Sequence, residues 1–179
     1  MISGVDKNWT LFLDRDGVIN HRPANDYVKS IAEFQFLPGV AEAIRLLSRH
    51  FGRIIVVTNQ QGVGLGLMSR QTLEEIHQWM VEELVSAGGK IDLILVCPDR
   101  KDLPENCRKP SIAMANQALE AFPDVVIEKS VMAGDTESDI AFGFNAGMKT
   151  VLIGMEKTDT QPDMQFTSLY QFAKFCDNQ

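Results

Sequence analysis

Along this chain short apolar runs alternate with segments of helical periodicity, and few architectures accept that order. Trp9–Leu13 (W-T-L-F-L), Arg53–Thr58 (R-I-I-V-V-T) and Ile91–Cys97 (I-D-L-I-L-V-C) read as strands buried on both faces, with Val131–Ala133 and Thr150–Ile153 as shorter ones. Between them Val40, Ile44, Leu47 and Phe51 recur at helical spacing, as do Leu73, Ile76, Met80 and Leu84 behind a Ser69 cap, with Gly88-Gly89 as the stop. Ile112, Ala115, Leu119 and Phe122 mark another helix. Thr136 opens the next, with Asp139 as its capping-box acid and Gly147 at its end, and Ser168 to Phe175 makes a small last helix. The expectation is a three-layer, Rossmann-like α/β fold: a mostly parallel sheet with helices on both faces and no large cap domain, residues 1–179 forming one domain. The irregular stretches 17–37 and 98–110 are too short to be a cap, but either can fold over a site as a flap.

Composition narrows the class. At 179 residues and 45% hydrophobic, the chain can bury a core without staples, which excludes a disordered tail, a fibre and a disulfide scaffold. A formal net charge of −7 speaks against nucleic acid or an anionic membrane as partner. No apolar run approaches the roughly 18 residues of a membrane span, and M-I-S-G-V-D-K-N lacks a signal-peptide core. Three cysteines (Cys97, Cys107, Cys176) cannot all pair, so a reducing, cytoplasmic setting is expected.

In an open α/β sheet ligands bind beyond the carboxyl ends of the strands, so the polar residues there matter most. The first strand ends in D-R-D-G-V-I-N, where Asp14 and Asp16, two apart in an extended stretch, can face one site. Close carboxylates repel unless a cation or a shared proton relieves them, and Mg²⁺ is the natural partner. One carboxylate can then attack a phosphorus while the other moves a proton, although an Asp-Gly turn with a solvated second aspartate would use the same letters. After the second strand, Thr58 and Asn59 can donate to phosphoryl oxygens; the glycines that follow (Gly62, Gly64, Gly66) do not fit a dinucleotide fingerprint and read as a flexible loop. C-R-K-P brings Arg108 and Lys109, suited to a phosphate though also the form of a solvated pair. G-D-T-E-S-D brings Asp135 to complete an oxygen shell, with Asp139 as an outer support or capping acid.

Carboxylates, hydroxyl, lysine and carboxylate thus arrive in order at successive strand ends. D-R-D-G-V-I-N, T-N-Q, C-R-K-P and G-D-x-x-x-D resemble the four motifs of the haloacid dehalogenase superfamily of aspartate-nucleophile phosphohydrolases, from about Leu11 to Gly154. The nearest resemblance is to its cap-less branch of heptose-bisphosphate and histidinol-phosphate phosphatases. N-D-Y-V ahead of Phe34-Gln35-Phe36 is similar to that branch's flap, as is the closing Asn20, whereas Leu65 stands where a basic residue is expected. The resemblance implies Asp14 as nucleophile and Asp16 as general acid and base. It implies Thr58 and Lys109, with Asn59, around the phosphoryl group, and Arg108 on a second anion. Mg²⁺ would lie on Asp14, the Asp16 carbonyl and Asp135, with Asp139 behind. The implied partner is a small phosphorylated metabolite. A phosphoacceptor signalling module is the reading of another class, but its phosphorylated aspartate would end the third strand, where Val96-Cys97 stands.

Relatives in this branch carry a zinc-binding loop. Here it reads Cys97-Pro98-Asp99 and Glu105-Asn106-Cys107, so two of the four expected ligands are carboxylates and zinc is not expected. A Cys97–Cys107 disulfide is expected still less. His21 and Arg22 lie close enough to the aspartates to touch substrate, or sit on a solvated flap; His50 and His77 read as surface or boundary residues and Trp79 and Met80 as packing.

Overall fold

The computed structural model describes residues 2, 4–24 and 26–178. Its centre is a six-stranded sheet, parallel at every pairing, in the order β3-β2-β1-β4-β5-β6. The strands are β1 (Thr10–Leu13), β2 (Arg53–Asn59), β3 (Leu93–Cys97), β4 (Ser130–Gly134), β5 (Lys149–Ile153) and β6 (Met164–Phe166). The main helices are α1 (Val40–His50), α3 (Arg70–Ser86), α4 (Ala113–Ala121), α5 (Glu137–Ala146) and α6 (Leu169–Asp177), with a one-turn α2 (Gln61–Gly64).

Side chains alternate along each strand, and the alternation builds two separate cores. Leu11, Leu13, Ile54, Val56, Val131 and Ala133 join the apolar faces of α1, α3 and α6. Phe12, Ile55, Val57 and Met132 face the other way, onto α4 and α5. The three-layer α/β expectation is met. The chain runs outward from β1 to β3 and returns to β4 on the other side of β1, which puts the topological switch point between the ends of β1 and β4.

Helix ends follow the local chemistry read from the sequence. The Ser69 hydroxyl accepts from Thr72 N, and Thr136 and Asp139 form the capping box of α5, which Gly147 ends at φ 85°. Two elements differ from expectation. Gly62 and Gly64 lie in α2 rather than in an open loop, because the chain closes a turn through Val63 N to Gln60 O and Leu65 N to Gln61 O. β6 carries only three part-exposed or exposed residues and gives no apolar run to read.

The stretch after β1 is tied down as a flap. His21 N donates to Gln35 O at 2.8 Å and Leu37 N to Ile19 O at 3.0 Å. Phe34, Phe36 and Trp79 then meet ring to ring, with centroids 5.1–5.5 Å apart, fixing the returning strand of the flap to α3. Asn25, part of the N-D-Y-V stretch, lies outside the described residues. Phe12 is fully buried at the centre of the second core; Phe12→Ala is expected to lower unfolding free energy by about 3–5 kcal/mol, measured by urea denaturation.

Candidate active site

Four strand ends meet over a cavity of about 480 Å³ lined by Asp14, Asp16, Asn59, Arg108, Lys109 and Asp139 from the anticipated set, and by Arg22, Pro23, Asp26 and Tyr27 from the flap, with Thr136 and Ser138 from the start of α5. Asp14 leaves β1 held by its own N–H to Ala133 O at 3.0 Å. Gly17, at φ +94°, turns the chain away; a Cβ there would fall on the carboxylate of Asp135, so the glycine is what lets β1 and β4 bring their acids together. Oxygens of Asp14, Asp135 and Asp139 lie within 4.8 Å of one another.

Lys109 is the counter-charge. Its side chain is buried, and Nζ lies 2.8 Å from Asp14 Oδ1, 2.6 Å from Asp139 Oδ1 and 2.7 Å from the Val57 carbonyl oxygen. The contacts to Asp14 and to the Val57 carbonyl are hydrogen bonds, and the one to Asp139 is an ion pair. Burial alone would lower its pKa, but Asp139 and Asp14 hold it above the usual lysine range. Asp139 is therefore both the capping acid of α5 and a charged partner of Lys109. Asn59 lines the cavity, and its amide also engages a neighbouring main chain. Its Oδ1 accepts from Lys109 N at 3.0 Å and its Nδ2 donates to Lys109 O at 3.4 Å, so it clamps the lysine's main chain. Thr58 is buried beneath the cavity lining, its Oγ1 accepting from Gln60 Nε2 at 2.9 Å.

Asp16 is held from three sides. Arg15 grips both carboxylate oxygens at 2.8 and 3.0 Å, Asn20 donates at 2.9 Å and Gln60 at 2.7 Å. Burial would raise the Asp16 pKa, but the Arg15 charge and these hydrogen bonds hold it below the ordinary carboxylate range. Arg15 is itself fully buried, its Nη1 donating to His77 Nε2 at 3.0 Å. His77 is thus a buried partner and not the surface or boundary residue expected. Burial, reinforced by the Arg15 charge, pushes its pKa down to about 3, so the ring is neutral and free to accept. A signal for this pair existed: if Asp14 and Asp16 face the site, Arg15 must point into the layer beneath, and His77 is the polar member of the buried α3 stripe Leu73, Ile76, His77, Met80, Leu84.

Arg22 reaches in from the flap. Its Nη2 lies 2.7 Å from Asp135 Oδ1, 3.0 Å from the Asp16 carbonyl oxygen and 3.7 Å from Asp14 Oδ2. Even so, negative charge is in surplus. Burial first, then Asp139, raises the Asp14 pKa to about 6, against the opposing pull of Lys109. Burial first, then Asp14, raises Asp135 to about 8, against the pull of Arg22. Carboxylates crowded in this way, with a backbone carbonyl beside them, are an oxygen-donor set suited to a hard divalent cation.

The loop from β3 to Lys109 corrects one expectation outright. Cys97 and Cys107 are joined as a disulfide, with Cα atoms 5.5 Å apart. The sequence argument weighed the compartment and ignored geometry. The main chain returns at Cys107, where Asp99 accepts from its N–H at 2.9 Å and brings the two sulfurs together. Among the described residues the ligand atoms of Cys97, Asp99 and Cys107 cluster, whereas exposed Glu105 stands apart.

Comparison with known proteins supplies the family. Residues 106–174 match the HAD-hydrolase-like family model. A D-glycero-alpha-D-manno-heptose-1,7-bisphosphate 7-phosphatase of Mycobacterium tuberculosis is 39% identical, across 92% of this chain and 90% of its own length. The chain belongs to the HAD-like hydrolases. Within this family it is a phosphatase, and a Campylobacter jejuni protein of the same name as the mycobacterial one is 34% identical over 94% of this chain and 96% of its own length. The HAD fold recurs in the crystal structure of a D,D-heptose 1,7-bisphosphate phosphatase from B. bronchiseptica, complexed with magnesium and phosphate: TM-score 0.83, 29% identity, 93% of this chain and 97% of that one.

The raised carboxyls set a pH dependence for this HAD site. Asp14 and Asp135 keep protons in the folded state that the unfolded chain, with a pKa of 3.8, has released. Their stabilising contribution is therefore complete below that value and lost as pH rises toward about 8. A divalent cation on the same oxygens reverses the loss. Thermal melts with Mg²⁺ and with chelator are expected to differ more at about pH 8 than at about pH 5; equal differences would mean that these carboxyls do not hold the ion.

Proposed function

We propose that this HAD phosphatase removes the 7-phosphate from a D-glycero-D-manno-heptose 1,7-bisphosphate, the whole chain acting as one catalytic domain. The observation that carries the reading is the pairing of a buried reactive carboxylate, Asp14 against Lys109, with a second cationic group, Arg108, on the wall of the same cavity. A substrate with two phosphates would offer an anion to each of these cationic groups in the one cavity. Arg108 is half-buried and is held only by Nη1 to the Asp99 carbonyl oxygen at 3.3 Å, which leaves the rest of its fork for an anion.

In this mechanism Asp14 attacks phosphorus in line and becomes an aspartyl phosphate. Asp16, oriented by Arg15, Asn20 and Gln60, is ionised in the free protein, so it takes up a proton from solvent as the substrate binds and passes it to the departing sugar oxygen. It then takes a proton from the water that cleaves the acyl phosphate, and inorganic phosphate leaves. Lys109 keeps Asp14 aligned and faces the transferring group, while the buried Thr58 hydroxyl accepts from Gln60 and so steadies the amide that orients Asp16. Asp14, the Asp16 carbonyl and Asp135 would hold Mg²⁺, with Asp139 behind, and the ion when bound neutralises phosphoryl charge. The donor set supports this fit, and the structural relative bound to magnesium and phosphate agrees with it. Zinc has no part in this reading, since the two remaining thiols are spent on each other. We also propose a cytoplasmic setting, against which the Cys97–Cys107 disulfide counts; no described helix is long and apolar enough to cross a membrane.

Histidinol-phosphate hydrolysis is the rival, and the bifunctional HisB of Blochmanniella floridana is 32% identical over 79% of this chain and 40% of its own length. Arg108 disfavours it, because histidinol is a cation. The 39%-identical mycobacterial relative and the 34%-identical one from Campylobacter jejuni are named for the alpha anomer, while a 32%-identical one from Rhodopseudomonas palustris is named for the beta.

Phosphate release from both heptose anomers and from histidinol phosphate, with Mg²⁺ and with chelator, tests the reading. The heptose bisphosphates are expected to turn over faster, and Asp14→Asn to abolish release while the protein still melts cooperatively. Preference for histidinol phosphate would reverse the assignment. Arg108→Ala is expected to raise KM for the bisphosphate about tenfold, the value of one charge-assisted contact, and to leave KM for a monophosphate ester unchanged.

A further inference from the structure

We propose that Arg22 is an internal counter-ion of the acidic cluster and that a divalent cation enters by displacing it. This rests on the metal-site reading above and concerns what the ion must replace. Arg22 Nη2 contacts Asp135 Oδ1, the Asp16 carbonyl oxygen and Asp14 Oδ2. Those are the same three donors that the ion would claim. One guanidinium nitrogen and one metal ion cannot both lie against them, so the two occupancies exclude each other.

Charge decides the direction of exchange. Asp14, Asp135 and Asp139 face a single buried ammonium, that of Lys109. Arg22 leaves one of the three negative charges uncompensated, whereas a divalent ion in its place leaves none. Position makes the exchange feasible. Arg22 belongs to the flap rather than to a strand, and its side chain is 42% exposed against 17% for Asp135. Leaving costs it little burial. The anchors of the flap, His21 N to Gln35 O and the Phe34–Phe36–Trp79 contacts, lie beyond it and need not break. A displaced Arg22 stays on the cavity wall, where its charge meets an incoming anion.

The test uses the full chain and Mg²⁺ alone, without substrate, by titration calorimetry and thermal melts. Arg22→Gln removes the competitor and is expected to bind Mg²⁺ about tenfold more tightly, the equivalent of one charge-assisted contact. In chelator the same variant is expected to melt below the parent, because the carboxylates have lost a counter-charge. Arg22→Lys keeps the charge and is expected to restore the parent's chelator melt and most of its weaker Mg²⁺ affinity. Unchanged or weaker Mg²⁺ binding by Arg22→Gln overturns the exchange while leaving the metal site in place. Absence of Mg²⁺ binding by parent and variants alike overturns the metal site, and the exchange with it.

Discussion

One buried ammonium, that of Lys109, is the condition on which this edge of the sheet depends. It arrives from the loop after β3, yet it bonds Asp14 at the end of β1, Asp139 in α5 and a carbonyl of β2. Without it, two buried carboxylates would face each other with no fixed positive partner, a situation that costs several kcal/mol. The surroundings are arranged to keep it there. Asn59 brackets its main chain on both sides, and the Cys97–Cys107 bridge fixes the loop two residues earlier to the end of β3. The contact that makes the acids tolerable is also the one that fixes the Asp14 carboxylate in place.

A second, parallel arrangement serves Asp16. Here the positive charge comes from below, through Arg15, and is steadied by a neutral histidine in α3. Two aspartates two residues apart thus sit in opposite environments, one raised by burial and like charge, the other lowered by an arginine fork and two amides. These directions run opposite to the usual division, in which the raised carboxyl is the acid and the ionised one the nucleophile, so the free protein is not in the charge state that the proposed duties need.

Much of this could be read from the chain because it is local. The strand runs, the Ser69 and Thr136 caps and the Gly147 stop are decided by residues a few positions apart, and the structure has them where the pattern puts them. The four motifs at the strand ends follow from the alternation of elements, which also predicts the switch point. What stayed hidden depends on distant partners. His77 lies in the Leu73–Leu84 stripe, but its polar ring reads as a boundary residue until Arg15 is known to point at it. Arg22 could be named but not placed, since the register of the flap is set by rings on α3 and by a backbone bond to Gln35. Asn59 offered two hydrogen-bonding ends, and only the path of the Lys109 segment decides where they go. The disulfide was misjudged because spacing along the chain says nothing about a loop that doubles back. β6 was missed for the simplest reason: a three-residue edge strand needs no apolar signature.

The aromatic clasp of Phe34 and Phe36 on Trp79 divides the flap into a bolted hinge side and an unbolted brim. Residues 22–24, 26 and 27 belong to that brim, and none of them contributes an aromatic ring to the clasp. Natural variation can therefore rewrite the brim, and with it the choice of guest, while the acids, the ammonium and the layers beneath stay as they are.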